Sequence, residues 1–397
     1  MCNFFHSSGA GALVLEFMFW ASVVLIVYTY AGYPLLIGAA AWLRSIQSQP
    51  RPSPSLPQDL PLVSVCIAVR NEGHRIAAKL ANLRSLDYPR DRLDIVISSD
   101  GSTDSTSEIL RDEPGVRFVE GPQGGKVVAL TRAVEASRGS IIVFADARQA
   151  LSSNAIHALV TRLQDEEVGA VSGLLKIVAP QGEESRGADM YWRYESMIRR
   201  YEGRYFSLVG ASGALYAMRR VDIQMPEPGT ILDDFEIPIQ VLRQGRRIVL
   251  EDSAVALDTV SAAPGSEAAR KIRTLAGNFQ SFLHQPWLFS PFGNPVWWQF
   301  ISHKVLRLVV PYLMLLALAG SGMSDGWLYR AAFAGQAAFY VAALSGLCWP
   351  ALRRLRPVNI ASTFVDLNYS AVKGMYYFVS GKSHLTWKTT SRPEARQ

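Results

Sequence analysis

The 397-residue sequence predicts an α/β domain with a mixed, mostly parallel sheet, carried between transmembrane helices at both ends. Three observations predict it. Apolar β-branched runs alternate with helically spaced segments from Leu62 to Asp146, the pattern of a parallel sheet covered by helices. A long apolar stretch precedes this region, and an aromatic, proline-broken stretch followed by two further apolar segments comes after it.

From Gly11 to Leu43 the only formal charge is Glu16, and the stretch exceeds the roughly 20 residues that cross a bilayer. A cleaved signal peptide is the competing reading. It would need a basic start and an apolar core of roughly 7 to 15 residues, whereas no Lys or Arg precedes Glu16. Arg44 and Arg51 follow at once, so the positive-inside bias puts the next segment in the cytoplasm and the amino terminus outside. Residues 1–47 read as the first membrane unit. Residues 48–61, "SQPRPSPSLPQDLP", read as a linker too rich in Pro and Ser for regular structure.

The domain proper is expected over 62–283. "LVSVCIAV" and "LDIVISS" read as strands, "AAKLANLRSL" as a helix between them, and "STDSTSEIL" as a helix start. "VRFVE", "KVVALTRAVEAS" and "SIIVFAD" continue the alternation as strand, helix, strand. Residues 284–303, "WLFSPFGNPVWWQFISH" within them, suit a membrane interface where Trp is enriched. Residues 304–350 read as a transmembrane hairpin flanked by His303, Lys304, Arg307, Arg353, Arg354 and Arg356, which places both its ends in the cytoplasm. In 351–397, Asp366, Asn368 and Lys373 would be costly in lipid, which favours a helix lying in the interface or packed on the domain over a third span. The expected location is a bacterial inner membrane, multi-pass, with the folded domain cytoplasmic.

Cys2, Cys66 and Cys348 show no CxxC spacing, and the six histidines form no HxxxH pair, which argues against a disulfide frame or a zinc site. The net charge of +6 comes from arginines spread along the chain near apolar segments. That distribution points to anionic lipid head groups and phosphorylated substrates rather than nucleic acid.

The candidate chemistry lies in acids at the ends of predicted core elements. Asp100 ends "DIVISSD", Asp146 ends "IIVFAD", and Asp233 with Asp234 lies in "TILDDFEIP". Asp104, in "DGSTDST", reads as a helix cap. Carboxylates at the carboxyl edge of a sheet suit a nucleotide diphosphate with Mg2+ or Mn2+, hard cations that take oxygen ligands and bridge phosphates. "YWRYESMIRRYEGRYF" interleaves aromatics with arginines; lining an acceptor channel, lying on head groups, and packing beneath a solvated basic face are all open readings.

In order, "VSVCIAVRNE", "DIVISSDGSTDST", "GGKVVALTRA", "FADARQ", "GASGALYAMRR" and "ILDDFEIPIQVLRQGRR" resemble the processive-type family 2 inverting glycosyltransferases of GT-A fold. That group includes cellulose, hyaluronan and poly-N-acetylglucosamine synthases. The resemblance covers roughly Leu62 to Phe282 and implies a membrane-bound transfer of sugar from a nucleotide donor, a UDP-sugar, to a growing β-linked exopolysaccharide. The alternatives are a single addition to a lipid acceptor and an inactive sugar-binding subunit. An export or polymerisation partner is a further expectation.

Carried over by position, the resemblance implies that Ala68, Arg70, Glu72 and Asp100 surround the uracil and ribose, with Lys126 near the donor. For Lys126 a solvated lysine at a helix start is the other reading. Asp146 matches the first Asp of the family's DxD and would meet the metal-bound diphosphate. Arg148 stands in place of the second Asp and would contact donor phosphate, pair with Asp146 or a neighbouring acid, or form a purely structural salt bridge. Asp234 would be the general base, with Asp233 beside it on the acceptor side. Gly210, Ser212 and Gly213 belong to a loop that faces the acceptor. "ARKIRTLAGNFQ" occupies the place of QxxRW: Arg273 matches, Arg270 replaces Gln, and both are expected at the donor. Thr274 replaces the Trp that stacks on an acceptor sugar, which weakens the case for a long bound polymer; an amphipathic helix with solvated basic residues is the plain alternative.

Overall fold

The computed structural model describes residues 7–47, 56–57, 59–178, 186–259 and 264–382. Most of the expected linker, and the tail with Lys388 and Arg392, lie outside the described residues.

Eight strands form one sheet in the order β3-β2-β1-β4-β7-β6-β8-β5. They are β1 (Val63–Val69), β2 (Leu93–Asp100), β3 (Val116–Gly121), β4 (Ile141–Ala145), β5 (Ala150–Leu151), β6 (Val168–Val178), β7 (Leu215–Arg219) and β8 (Arg247–Thr259). β1 is parallel to β2 and β4, and β2 to β3. β7 runs antiparallel between β4 and β6, β6 is parallel to β8, and β5 pairs antiparallel with β8. The sheet is thus mixed, as expected, and the chain leaves β1 toward both sides. That reversal opens a crevice beyond the carboxyl ends of β1 and β4, where ligands of open α/β sheets bind.

β1 is buried along its whole length, because a central parallel strand is covered on both faces and therefore reads as an unbroken apolar run. The helix Gly73–Arg84 supplies Ile76, Leu80 and Leu83 to one face. Lys126–Ala136 supplies Ala129, Leu130 and Ala133 to the other, together with Ile237, Ile239 and Val241 of the helix Asp233–Arg243.

Three segments are long and apolar enough to cross a membrane: Gly11–Gln47, Trp297–Met323 and Trp327–Cys348. The first is helical through Ser7–Val27, a π-turn at Tyr28–Gly32, and Tyr33–Gln47. It lies close against the second: a Cβ on Gly320 would stand 3.0 Å from the Leu15 carbonyl oxygen and from Phe19 Cβ. The helix Arg356–Val379 packs both on the membrane segment Trp327–Cys348, where Ser362 Oγ donates to the Ala343 carbonyl at 3.0 Å, and on Pro264–His284. Phe378 stacks on Phe279 at 6.1 Å, Lys271 pairs with Asp366 at 3.2 Å, and Gly374 admits the Leu275–Ala276 backbone closely. Asp366, costly in lipid, thereby gains a cationic partner.

The arginine- and tyrosine-rich stretch forms the helix Arg186–Tyr205 and joins the sheet domain to the membrane helices. Glu202 accepts a hydrogen bond from the Tyr33 hydroxyl at 2.6 Å and lies 2.8 Å from His303 Nδ1. Glu195 pairs with His303 and, at 2.7 Å, with Arg307. Tyr194, Tyr201 and Tyr205 pack around Tyr33 and Ile37. Of the readings open for this stretch, its tyrosines are packing groups and its acids hold the membrane segments.

Candidate active site

The crevice is built by loops that follow β1, β2 and β4. Ala68 lies near the end of β1, and Arg70 and Glu72 leave it. Asn71 adopts φ 53°, a conformation Asn tolerates, and its Oδ1 accepts the Thr103 N–H at 2.8 Å. Glu72 N–H donates to Thr106 Oγ1 at 2.8 Å, and Gly73 N–H to Asp104 Oδ2 at 3.0 Å. Asp104 also accepts from Thr106 N–H, so it stitches the start of the helix Thr106–Arg111 to Gly73, while the N-cap position itself is Ser105 rather than the expected Asp104. The Glu72 carboxyl is raised by burial, against the pull of Arg75, with which it pairs at 3.2 Å.

Asp100 is fully buried. Its carboxylate accepts backbone N–H groups from Gly124 at 2.7 Å and Gly125 at 2.9 Å. The expected nucleotide-facing acid therefore acts in this structure on the turn in front of Lys126. Gly125 has φ 96°, which an L side chain adopts only under strain.

Lys126 is the hub. Its ammonium lies 3.1 Å from Asp146 Oδ1 and 3.1 Å from Asp233 Oδ2, joining the end of β4 to the start of the helix Asp233–Arg243. Burial alone would lower the lysine's pKa; the three acids Asp146, Asp233 and Asp234 overcome that and raise it. The reading of Lys126 as a solvated helix-start residue fails, because its charge is spent between two carboxylates. Asp233 is raised to about 6, by burial first and also by Asp234 and Asp146, with Lys126 opposing. Beneath them Tyr216 stacks on Phe144 at 4.6 Å, and its buried hydroxyl has no hydrogen-bond partner among the described residues.

Asp234, half-buried beside Asp233, accepts the Gly213 N–H through Oδ2 at 3.0 Å. A Cβ on Gly213 would come within 2.8 Å of that oxygen, so the glycine is a requirement of the close approach. Gly210 and Ser212 lie in the same loop: the Gly210 carbonyl accepts from Arg199, and Ser212 N–H donates to Ser172 Oγ. The motif expected as a loop is a loop only in its first part, since Leu215–Arg219 is strand β7.

Arg148 pairs with Asp258 at the end of β8, to which Gln149 Nε2 also donates at 3.1 Å. Arg148 thus forms an ion pair with an acid distant in sequence. The loop after Asp146 is held from the other side, where Lys79 Nζ donates to the Gln149 carbonyl at 2.7 Å and Asn82 brackets Leu151. Burial lowers the Lys79 pKa to about 8.

Arg270 and Arg273 lie, partly exposed, in the first half of the helix Pro264–His284; its later residues touch the Asp234 segment. Gln280 Oε1 accepts the Ile231 N–H at 2.9 Å and its Nε2 donates to the Gly229 carbonyl at 3.1 Å. Ser281 Oγ donates to buried Glu236 at 2.8 Å, and His284 Nδ1 lies 3.1 Å from the same carboxylate. Glu236, Gln280, Ser281 and Asp258 were not singled out from sequence. The spacing from Asp233 to Glu236, one turn along a helix, was the available signal for Glu236.

Among the described residues no three His, Cys, Asp or Glu side chains converge to cage a metal. Asp146 leaves its side chain 35% exposed. A single carboxylate of this kind fits a hard cation that arrives on a diphosphate and keeps waters, the usual manner of Mg2+.

Comparison with known proteins agrees with this architecture. Residues 64–224 match the model for Glycosyl transferase family 2. The chain is 30% identical over 170 residues to the beta-monoglucosyldiacylglycerol synthase of Nostoc sp., which spans 41% of this chain and only 35% of that protein. To the beta-monoglucosyldiacylglycerol synthase of Synechocystis sp. it is 26% identical over 378 residues, 87% of this chain and 77% of the relative. An N-acetylglucosaminyltransferase of Neorhizobium galegae is 26% identical over 256 residues, 59% of each chain. The solved mannosyltransferase PcManGT from Pyrobaculum calidifontis, in complex with GDP-Man and Mn2+, superposes with a TM-score of 0.68 at 21% identity, over 93% of this chain and 99% of that one. The protein has the GT-A fold, and its residues 64–224 resemble the glycosyl transferase family 2 pattern.

Proposed function

We propose that the protein is a membrane-bound inverting glycosyltransferase that moves one sugar from a nucleoside-diphosphate sugar, a UDP-sugar by its sequence resemblance, to a lipid acceptor. The observation that carries the reading is Lys126 held between Asp146 and Asp233, with Asp234 adjacent. This sets a diphosphate-facing acid and a separate, backbone-fixed acid on two sides of one crevice.

In this reading Asp146 receives the diphosphate, and a bound Mg2+ or Mn2+ would lie there and offset charge on the leaving group. Lys126, shared with Asp233, holds Asp146 in place for the diphosphate. Asp234, fixed by Gly213 N–H, takes the proton of an acceptor hydroxyl as its oxygen attacks the anomeric carbon, a role that requires hydrogen-bond reach. Attack opposite the leaving nucleotide inverts the anomeric centre, so an α-linked donor gives a β-linked product. Arg70, Glu72 and Ala68 line the nucleotide side, while Asp233 and the Gly210–Gly213 loop border the acceptor side.

Two features favour a lipid acceptor over the growing exopolysaccharide. Thr274 is exposed where the processive enzymes carry a stacking Trp, and the relative matched over most of both chains is named as a diacylglycerol glucosylating enzyme. Polymer synthesis is the second reading, favoured by the ordered motif set. Purified protein in detergent with UDP- and GDP-sugars, Mn2+ and extracted bacterial lipids separates them. A single labelled lipid supports the first reading, a labelled polymer the second, and no nucleotide release from any donor refutes both.

A further inference from the structure

Around Asp234 the charges on the catalytic side are nearly all matched. Lys126 is shared by Asp146 and Asp233, Glu195 takes Arg307 and His303, and Glu202 takes His303 and Tyr33. Two cations on the membrane side differ. Lys304, in the segment Trp297–Met323, places its ammonium 4.2 Å from the centroid of the Phe235 ring, next in sequence to Asp234, and reaches only Asn278 Oδ1 at 3.4 Å. Arg199 donates to Ser172 Oγ at 3.0 Å and to the Gly210 carbonyl at 3.3 Å. Among the described residues neither has a carboxylate within ion-pair distance, although the charges of Asp234, Glu195 and Glu202 act on Lys304 from farther off. Both are partly buried, and a cation withdrawn from water without a counter-charge in contact is costly.

From Lys304 and Arg199 flanking the Asp234 loop, we infer that the acceptor is a phospholipid whose head group carries both a phosphate and a free hydroxyl. The inference rests on the proposed transferase activity and names its acceptor class. The phosphate lies against Lys304 and Arg199, supplying an anion in direct contact, and the hydroxyl lies against Asp234. Its proton passes to Asp234, its oxygen bonds to the anomeric carbon, and the bond from that carbon to the nucleoside diphosphate breaks, releasing the diphosphate with its electron pair. Lys304 stands on a segment apolar enough to enter a bilayer, so such a head group is presented at the membrane surface. A diacylglycerol would bring the hydroxyl and give neither cation an anion in contact.

The test uses the full chain in phosphatidylcholine vesicles, with UDP- and GDP-sugars and Mn2+. The vesicles are doped with phosphatidylglycerol (phosphate and hydroxyl), diacylglycerol (hydroxyl only) or phosphatidic acid (phosphate without an alcohol). Labelled product is expected from phosphatidylglycerol. Lys304→Gln should raise its half-saturating content by about tenfold, the equivalent of one lost charge contact, with the donor KM unmoved, and Lys304→Arg should restore most of it. Diacylglycerol labelled as well as phosphatidylglycerol, product on phosphatidic acid, or an unaltered Lys304→Gln would each overturn the acceptor assignment while leaving the transferase reading intact. Absence of nucleotide release with every donor and lipid would instead remove the transferase reading itself.

Discussion

The two halves of the sheet hold their functional acids in different ways. In the half formed by β3, β2, β1 and β4, each acid is fixed by chain nearby in the same fold unit: Asp100 by the N–H groups of Gly124 and Gly125, and Asp104 by Thr106 and Gly73. In the half formed by β7, β6, β8 and β5, Asp234 likewise takes a nearby N–H, that of Gly213, but distant segments add to the holding. Asp258 secures Arg148 across 110 residues, and Gln280 and Ser281 reach back to the segment around Asp234. Lys126 is the bridge between the halves. The donor side is thus a self-contained scaffold, whereas the placement of the base depends on helices that also pack toward the membrane.

The largest effect should come from removing the base. Asp234→Asn is expected to lower kcat by about 10^3-fold, within the range of general-base contributions, with donor KM retained; a retained kcat in steady-state assays would dissolve the distinction between the halves. Gly213→Ala leaves the base present but pushes its oxygen, and should lower kcat by roughly 100-fold, the penalty of an ångström-scale misplacement.

Gln280→Ala cuts the hydrogen bonds to Ile231 and Gly229 from the distant helix. Losing one to two ordinary hydrogen bonds is worth about 1 kcal/mol, so a several-fold fall in kcat without change in donor KM is expected. An equal loss in donor affinity would show that the helix Pro264–His284 serves both halves. The smallest effect concerns the bridge. Because the Asp233 pKa is raised in the folded protein, its protonated form contributes stability in acid that is lost as pH rises through about 6. The Tm difference between wild type and Asp233→Asn should therefore shrink, in wild type's disfavour, between about pH 4 and 6.

The same division explains what was legible in the sequence. β1, β2 and β4 read as strands because burial on both faces demands continuous apolar runs, and Asp146 stood out because such a run ended on a carboxylate. Lys126 was visible as a helix-start lysine, yet its double pairing depends on Asp233, more than a hundred residues away. β8 was missed because its sequence, "RIVLEDSAVALDT", mixes acids with apolar residues, as a strand near the sheet edge allows. Asp258, Gln280, Ser281 and His303 carry no local pattern that announces their partners. Their roles follow from tertiary contacts, which periodicity does not encode.

The central claim is that Asp146 and Asp234 share one crevice but divide its work between donor and acceptor. Calorimetric titration of UDP and GDP with Mn2+ into wild type, Asp146→Asn and Asp234→Asn tests it most directly. The account predicts at least about tenfold weaker binding to Asp146→Asn, the loss of a charge-assisted contact, and near wild-type binding to Asp234→Asn. Equal weakening in the two variants, or loss confined to Asp234→Asn, would contradict it.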